Sequence, residues 1–358
     1  MNVMKEDWDV IIIGCGPAGC AAGIILAQKG LNVLMIEKEK LPRHKICSGL
    51  ISKESQNALK KLGLKFPEVI CTRPRKGKGV KIQFLIGKDF MEVPDKFYNV
   101  FRRDFDYWMT IEANKAGAYV QDEALLVDIK IDEKIKVITK IKDQKTGEKK
   151  LTEITSKYVI GADGGRSTTR KLIYPDYKRD TGIAYQEYWT GKIDLDPRYF
   201  YAFMDRELSA GYAFCNMKED LIIIGVGAEK GKDIKGYQEK FIKYLKQGFG
   251  LELGQMIRRE ACITTNIFTT EPQFQYLLGK NNVLLVGEAA DLFNIMGEGI
   301  PSAIKSGINA AESIIEHIEG DQTRNVVEIY EKKNEKLLKK LKNNWIGFRK
   351  QFDAFTQF

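Results

Sequence analysis

Histidine is almost missing from this 358-residue chain, which has only His44 and His317. Cysteine occurs at positions 15, 20, 47, 71, 215 and 262 but forms no CxxC pair. Neither the ligand types nor the spacing that structural zinc needs are there, and six scattered cysteines in a chain this long do not make a disulfide framework. A reduced, cytosolic setting without a metal is expected. Long apolar runs are lacking as well. The longest uncharged stretch, 10–28, is interrupted by Gly14, Gly16, Pro17, Gly19 and Gly23 and preceded by Glu6, Asp7 and Asp9. That suits neither a membrane span nor the basic start of a signal peptide. No internal repeat and no low-complexity linker stands out.

What remains is ordinary globular material, 44% apolar and 29% charged. At about 100–200 residues per domain this length suggests two domains with ample core. The net charge of +9 suits a phosphate-bearing ligand or an anionic membrane surface and decides nothing alone. No nucleic-acid partner is expected.

The first forty residues are the informative ones. Asp9-Val-Ile-Ile-Ile-Gly14 is a β-branched run ended by glycine, the pattern of a strand buried on both faces of a parallel sheet. Gly14-Cys-Gly16-Pro-Ala-Gly19 follows, then a helical segment ending at Gly30 and a second strand, Asn32–Glu37. In such a unit the first glycine makes a tight turn, the second lets backbone approach a pyrophosphate, and the third lets helix pack on strand. The helix N-terminus offers free N–H groups to phosphate. Glu37, 23 residues after Gly14, is placed to accept from a ribose. A dinucleotide site is therefore expected here, and no second copy of the fingerprint follows.

Two later segments choose the dinucleotide. Tyr158-Val-Ile-Gly-Ala-Asp163-Gly-Gly-Arg-Ser167-Thr-Thr-Arg170 resembles the GADGxxSxxR motif of flavoproteins of the p-hydroxybenzoate hydroxylase type. Val283-Leu-Leu-Val-Gly287-Glu288-Ala-Ala, with Gly297-Glu298-Gly299-Ile300 after it, resembles their third motif. The chain is most similar to their geranylgeranyl reductase branch. Pro42-Arg-His-Lys-Ile-Cys47-Ser48-Gly49-Leu50 resembles that branch's Cys-Gly loop, and Arg102-Arg-Asp-Phe105-Asp106 its RxxFD pattern.

The resemblance implies an α/β (α+β overall) protein: a Rossmann-like FAD-binding domain and a second, antiparallel-sheet substrate domain. The FAD domain would comprise 1–76, 100–178 and 276–325, the substrate domain 77–99 and 179–275, and a basic amphipathic helix 326–358. It further implies that Gly14, Gly16, Ala18 and Gly19 line the pyrophosphate. Glu37 would bind the adenosine ribose, Arg102 contact the cofactor and Leu126 border the adenine. Asp163, Gly287 and Glu288 would hold the ribityl and pyrophosphate region, while Cys47 and Ser48 sit by the flavin and Gly299 and Ile300 offer it backbone N–H groups.

Three positions depart from the pattern. Glu288 replaces a usual Asp, keeping the acceptor but moving it. Asn294 replaces a usual proline. The YxWxFP substrate signature becomes Gly211-Tyr212-Ala-Phe-Cys-Asn216-Met217-Lys218. These departures lie on the substrate side of the pattern.

The expected activity is reduction of prenyl double bonds by hydride from reduced FAD, with Cys47 and Tyr212 as candidates for proton delivery or positioning. The alternative is a flavin monooxygenase; a halogenase is disfavoured because no WxWxIP signature is present. NAD(P)H or ferredoxin would supply electrons, the latter through a partner protein. Glu298 reads equally as acid, base or helix-terminal residue. Further strands are expected at Tyr199–Phe203, Gly211–Asn216, Leu221–Ala228 and Ile263–Thr269, with a helix near Tyr237–Gln247. In the lysine-rich tail, Trp345, Phe348, Phe352 and Phe355 share one helical face, which either packs on the parent domain or contacts a membrane or lipid substrate.

Overall fold

The computed structural model describes residues 7–87, 89–143, 146–178, 181–229, 231–265, 276–320 and 323–356. The opening β-branched run forms the strand Asp7–Ile13, with Val10, Ile11 and Ile12 wholly buried. A strand apolar on both faces must lie inside a sheet covered on both sides. It does so between Val33–Ile36 and Lys149–Gly161, parallel to both, with Ile11 opposite Leu34 and Val159. Tyr119–Gln121 extends the sheet beyond Val33–Ile36, and Val283–Leu285 extends it beyond the long strand. Helices Pro17–Gln28, Arg102–Lys115 and Ile300–Glu319 cover it.

Lys149–Gly161 changes partners along its length. Its first half pairs antiparallel with Ile135–Lys142, which in turn pairs with Ala124–Ile131. Alternating charge in this meander leaves one face wet, and Leu125, Val127 and Leu151 are exposed on it. Its second half, 155–161, enters the parallel sheet.

The second sheet has seven strands, in the order Glu252–Thr265, Thr181–Lys192, Leu221–Glu229, Ala213–Lys218, Tyr199–Phe203, Gly79–Gln83 and Met91–Pro94. Helix Ile234–Gly248 packs on one face of it. Its other face carries a separate apolar cluster that includes Tyr188, Phe200, Phe214 and Ile223. Strand Tyr98–Val100 pairs with Leu50–Ile51 and Cys71–Lys76 in a small third sheet.

Where strand positions were expected, Tyr199–Phe203 is met residue for residue, and Gly211–Asn216 shifts to Ala213–Lys218. The strand expected at Ile263–Thr269 begins much earlier, at Glu252; 266–269 lie outside the described residues. Arg258, Arg259 and Glu260 hide its period because it is an edge strand, where charge is the normal guard against further pairing.

The tail forms one helix, Val326–Thr356. Its Tyr330 donates to the Leu285 carbonyl at 3.0 Å and its Trp345 indole to the Phe293 carbonyl at 2.9 Å. Phe348 joins the apolar cluster on the second sheet. The two described rings of the tail stripe therefore pack on the parent domain; the side chains of Phe352 and Phe355 lie outside the description. Among the described residues no helix is long and apolar enough to cross a membrane, and no group of acidic, histidine and cysteine side chains could hold a metal ion.

Candidate functional site

Three segments far apart in sequence meet at the carboxyl ends of the parallel strands. The Gly14 N–H donates to the Ile36 carbonyl at 2.7 Å, and the Ala162 N–H to the Ile13 carbonyl at 2.8 Å. Gly14 has φ +110, and a Cβ there would lie 2.5 Å from the Ala162 carbonyl oxygen. At Gly19 a Cβ would strike the Gly14 carbonyl, so both glycines are required by backbone contact. The late loop closes over the same turn: the Val286 N–H donates to the Gly161 carbonyl at 3.0 Å, and a Cβ on Gly287 would lie 3.3 Å from that of Ala18.

The mid-chain corner holds its own shape. Asp163 accepts from the Ser167 hydroxyl at 2.5 Å and from the Thr168 and Thr169 N–H groups at 2.7 and 2.9 Å, capping the short helix Thr168–Ile173. From that helix the buried Arg170 donates to the Gly165 carbonyl at 2.9 Å and to the Ala289 carbonyl at 2.7 Å. One guanidinium thus ties the acidic corner to the late loop.

These residues fit a dinucleotide. Gly16 caps helix Pro17–Gln28 without any side-chain bond, so the first N–H groups of the helix lack an intrahelical acceptor. A Cβ on Gly16 would find only an Arg43 nitrogen, 3.8 Å away, which leaves a cradle facing a guanidinium. Such a helix end with a cation opposite suits a diphosphate. Arg43 also donates to Glu37 at 3.0 Å and to Asp106 at 2.9 Å. Asp106 in turn accepts twice from Arg102, at 2.7 and 2.9 Å.

Burial works against the charge on Asp106, but the Arg102 and Arg43 guanidiniums outweigh it and hold the carboxyl below its usual range. Glu37, also buried, accepts from the Cys15 N–H at 3.2 Å, and its carbonyl accepts from the Ala124 N–H, which places Leu126 nearby. Arg43 and Asp106 are the members that the sequence reading did not single out. Asp106 lies four residues after Arg102 on one helix, a spacing that signals the pair. Nothing local signals Arg43.

On the opposite side stand the candidate flavin contacts. Cys47 and Ser48 are half-buried in the loop 41–49, where the Cys47 sulfur accepts from the Gly49 N–H at 3.3 Å. Gly299 caps helix Ile300–Glu319 without a side-chain bond, so this helix also presents free N–H groups. The Tyr212 hydroxyl donates to the Met296 carbonyl at 2.8 Å, and burial pushes its phenol far up. It grips the late glycine loop and keeps its proton.

The departures gain reasons here. Glu288 reaches the Thr264 hydroxyl at 3.1 Å on the substrate sheet. Asn294 donates to Glu298 at 3.1 Å and accepts from Asn344 of the tail helix at 3.0 Å, a link proline could not make. Glu298 also accepts from Ser52 at 2.8 Å, so its carboxylate bridges loop and neighbouring helix cap.

Burial pushes the thiols of Cys20 and Cys215 up to about 12. Iodoacetamide at mildly alkaline pH is expected to modify Cys47 ahead of both, and saturating FAD to slow that modification several-fold. Peptide mass spectrometry reads the rates; equal rates with and without FAD would place Cys47 away from the cofactor.

A family model described as an FAD binding domain matches residues 7–344. Protein CbrA of Escherichia coli O157:H7 is 28% identical over 313 residues, which is 84% of this chain and 82% of that protein. A geranylgeranyl bacteriochlorophyll reductase-like protein from Thermoplasma acidophilum has a solved structure that superposes with a TM-score of 0.78. It is 25% identical, and the match covers 98% of this chain and 90% of that one. The myxobacterial chondrochloren halogenase CndH superposes with a TM-score of 0.71 at 16% identity over 93% of this chain and 79% of its own, a likeness of fold alone.

Proposed function

Because the chain belongs to the family of the FAD binding domain, we propose that it reduces carbon–carbon double bonds of a prenyl lipid or other isoprenoid. It is an FAD-dependent oxidoreductase with a p-hydroxybenzoate hydroxylase-like fold, a Rossmann-like cofactor domain joined to an antiparallel-sheet domain. The observation that carries the substrate reading is the apolar inner face of the seven-stranded sheet. There Ile82, Tyr188, Phe200, Phe214 and Ile223 meet Leu50 of the cysteine loop and Met296 of the glycine loop. The side chains of this face are packed against one another and only 0–8% exposed; their apolar character, beside both candidate flavin segments, excludes water and matches a hydrocarbon chain in chemistry. The reductase-like neighbour supports the same reading. Asn216 is a buried polar point on that strand with neither amide atom partnered, where a substrate hydroxyl or carbonyl would be satisfied.

FAD, when bound and reduced, supplies the hydride chemistry. The chain supplies placement. The Pro17–Gln28 N-terminus and Arg43 would hold the diphosphate, Glu37 the ribose, and the Ile300–Glu319 N-terminus the far end of the cofactor. Tyr212 holds the glycine loop, and Cys47 is the group set to deliver a proton beside the ring.

The test uses chemically reduced holoprotein, so that no natural electron donor is assumed. Mixed without oxygen with a geranylgeranyl lipid, it is expected to return to the oxidised spectrum while the lipid gains two hydrogens per double bond by mass. If the lipid is unchanged and an aromatic compound is instead hydroxylated on admitting oxygen, the protein is a monooxygenase and the reading fails.

A further inference from the structure

Lys218 ends strand Ala213–Lys218 of the substrate sheet and is 1% exposed. Its amine donates to the carbonyls of Val100 and, at 3.4 Å, Gly49, and lies 5.3 Å from the centre of the Phe101 ring. Gly49 follows Cys47 and Ser48 in the loop assigned to the flavin, and Val100 and Phe101 lead directly into the helix that starts at Arg102. One side chain from the substrate sheet therefore fastens two segments of the cofactor domain. The fit is close: a Cβ on Gly49 would lie 2.6 Å from the lysine nitrogen.

What is missing is a counter-ion. The titratable groups that bear on the amine are the thiols of Cys47, from the loop, and Cys71, from strand Cys71–Lys76. Glu219, the next residue, turns to Arg73 at 2.6 Å instead. Among the described residues no carboxylate pairs with Lys218. Two carbonyl acceptors match the two N–H bonds of a neutral amine, whereas the third of an ammonium would have only the Phe101 ring. Burial, only partly offset by Cys47 and Cys71, brings the ammonium down to about 7.

We propose that Lys218 is a positioning residue that clamps the cysteine loop, and that its buried amine, with no carboxylate beside it, sets a charge next to the flavin that tunes the reduction potential. The inference rests on the reading that FAD sits against that loop. A cation there stabilises the electron-rich reduced cofactor.

Two measurements test it. Without cofactor, the unfolded chain holds the Lys218 proton up to the ordinary value of 10.5 while the folded one releases it near 7. Stability is therefore expected to rise with pH across that window, and Lys218→Met to flatten the rise. With FAD bound, the midpoint potential of the wild type is expected to exceed that of Lys218→Met at about pH 6, with the gap shrinking several-fold by about pH 9. Lys218→Arg, charged throughout, is expected to keep the high potential without the step, and it serves if the methionine variant does not fold. Parallel potentials in wild type and variants, with FAD bound to all, would overturn the role of Lys218 alone. Wild-type protein that takes up no FAD would overturn the cofactor reading with it.

Discussion

Gly14→Ala is expected to yield colourless protein that cannot take up FAD and is about 3 kcal/mol less stable, the upper part of what a strained backbone position costs. Two effects add. At φ +110 any side chain is strained, and the new methyl would meet the Ala162 carbonyl oxygen at 2.5 Å. That carbonyl cannot retreat, because the Ala162 N–H is bonded to Ile13 and the next residue, Asp163, is fixed by four donors. The turn must open, and with it the cradle at Gly16. Gly63→Ala is the control: Gly63 has φ +71 but nothing within 4 Å, so only the strain of about 1 kcal/mol applies and FAD uptake is expected to be normal. Flavin absorbance after titration and denaturant unfolding check both. A yellow, fully stable Gly14→Ala protein would mean that the turn does not seat the diphosphate.

Arg43→Met is expected to cost about 3–5 kcal/mol of stability, because it removes the cation shared by two buried carboxylates. Glu37 and Asp106 are 4% and 1% exposed, and only Asp106 has another guanidinium, that of Arg102. With Arg43 facing the diphosphate as proposed, FAD affinity should fall by roughly 10- to 100-fold. The loss depends on pH in a direction fixed by Asp106. Its folded carboxyl lies below the ordinary 3.8, so its stabilisation is full above that value and is lost as pH falls below it. The gap between wild type and variant is therefore expected to narrow in acid. Unfolding curves at neutral and acid pH read this, and a constant gap would mean that the ion network does not carry the effect.

The glycine turn and its neighbouring strands were legible because their signals are local. Glycines whose Cβ would strike backbone, a β-branched strand and an acid at its neighbour's end all lie within forty residues. Asp163 was legible as a motif, yet its carboxylate works by capping Ser167–Thr169, which the motif alone does not say. Arg43 and Lys218 were not legible, because their meaning is in distant partners: Asp106 lies 63 residues from Arg43, and Val100 lies 118 from Lys218. A lysine before Glu219 and Asp220 reads as a wet hairpin end, and only the packing of the substrate sheet on residues 49 and 100 buries it. Asn294 and Glu288 read only as departures from the family pattern, and in the structure they make links to the tail helix and to the substrate sheet.

The pairing of Ile11 with Val159 has a consequence for biosynthesis. As the chain leaves the ribosome, Asp7–Ile13 acquires Val33–Ile36 at once, but its other edge stays bare until the segment Thr155–Gly161 has been made. A nascent chain in that interval presents an unpaired edge of isoleucine and valine, the sort of template that recruits the wrong strand. Truncations ending before residue 149 should accordingly precipitate or be held by chaperones, and productive folding must await the long central strand.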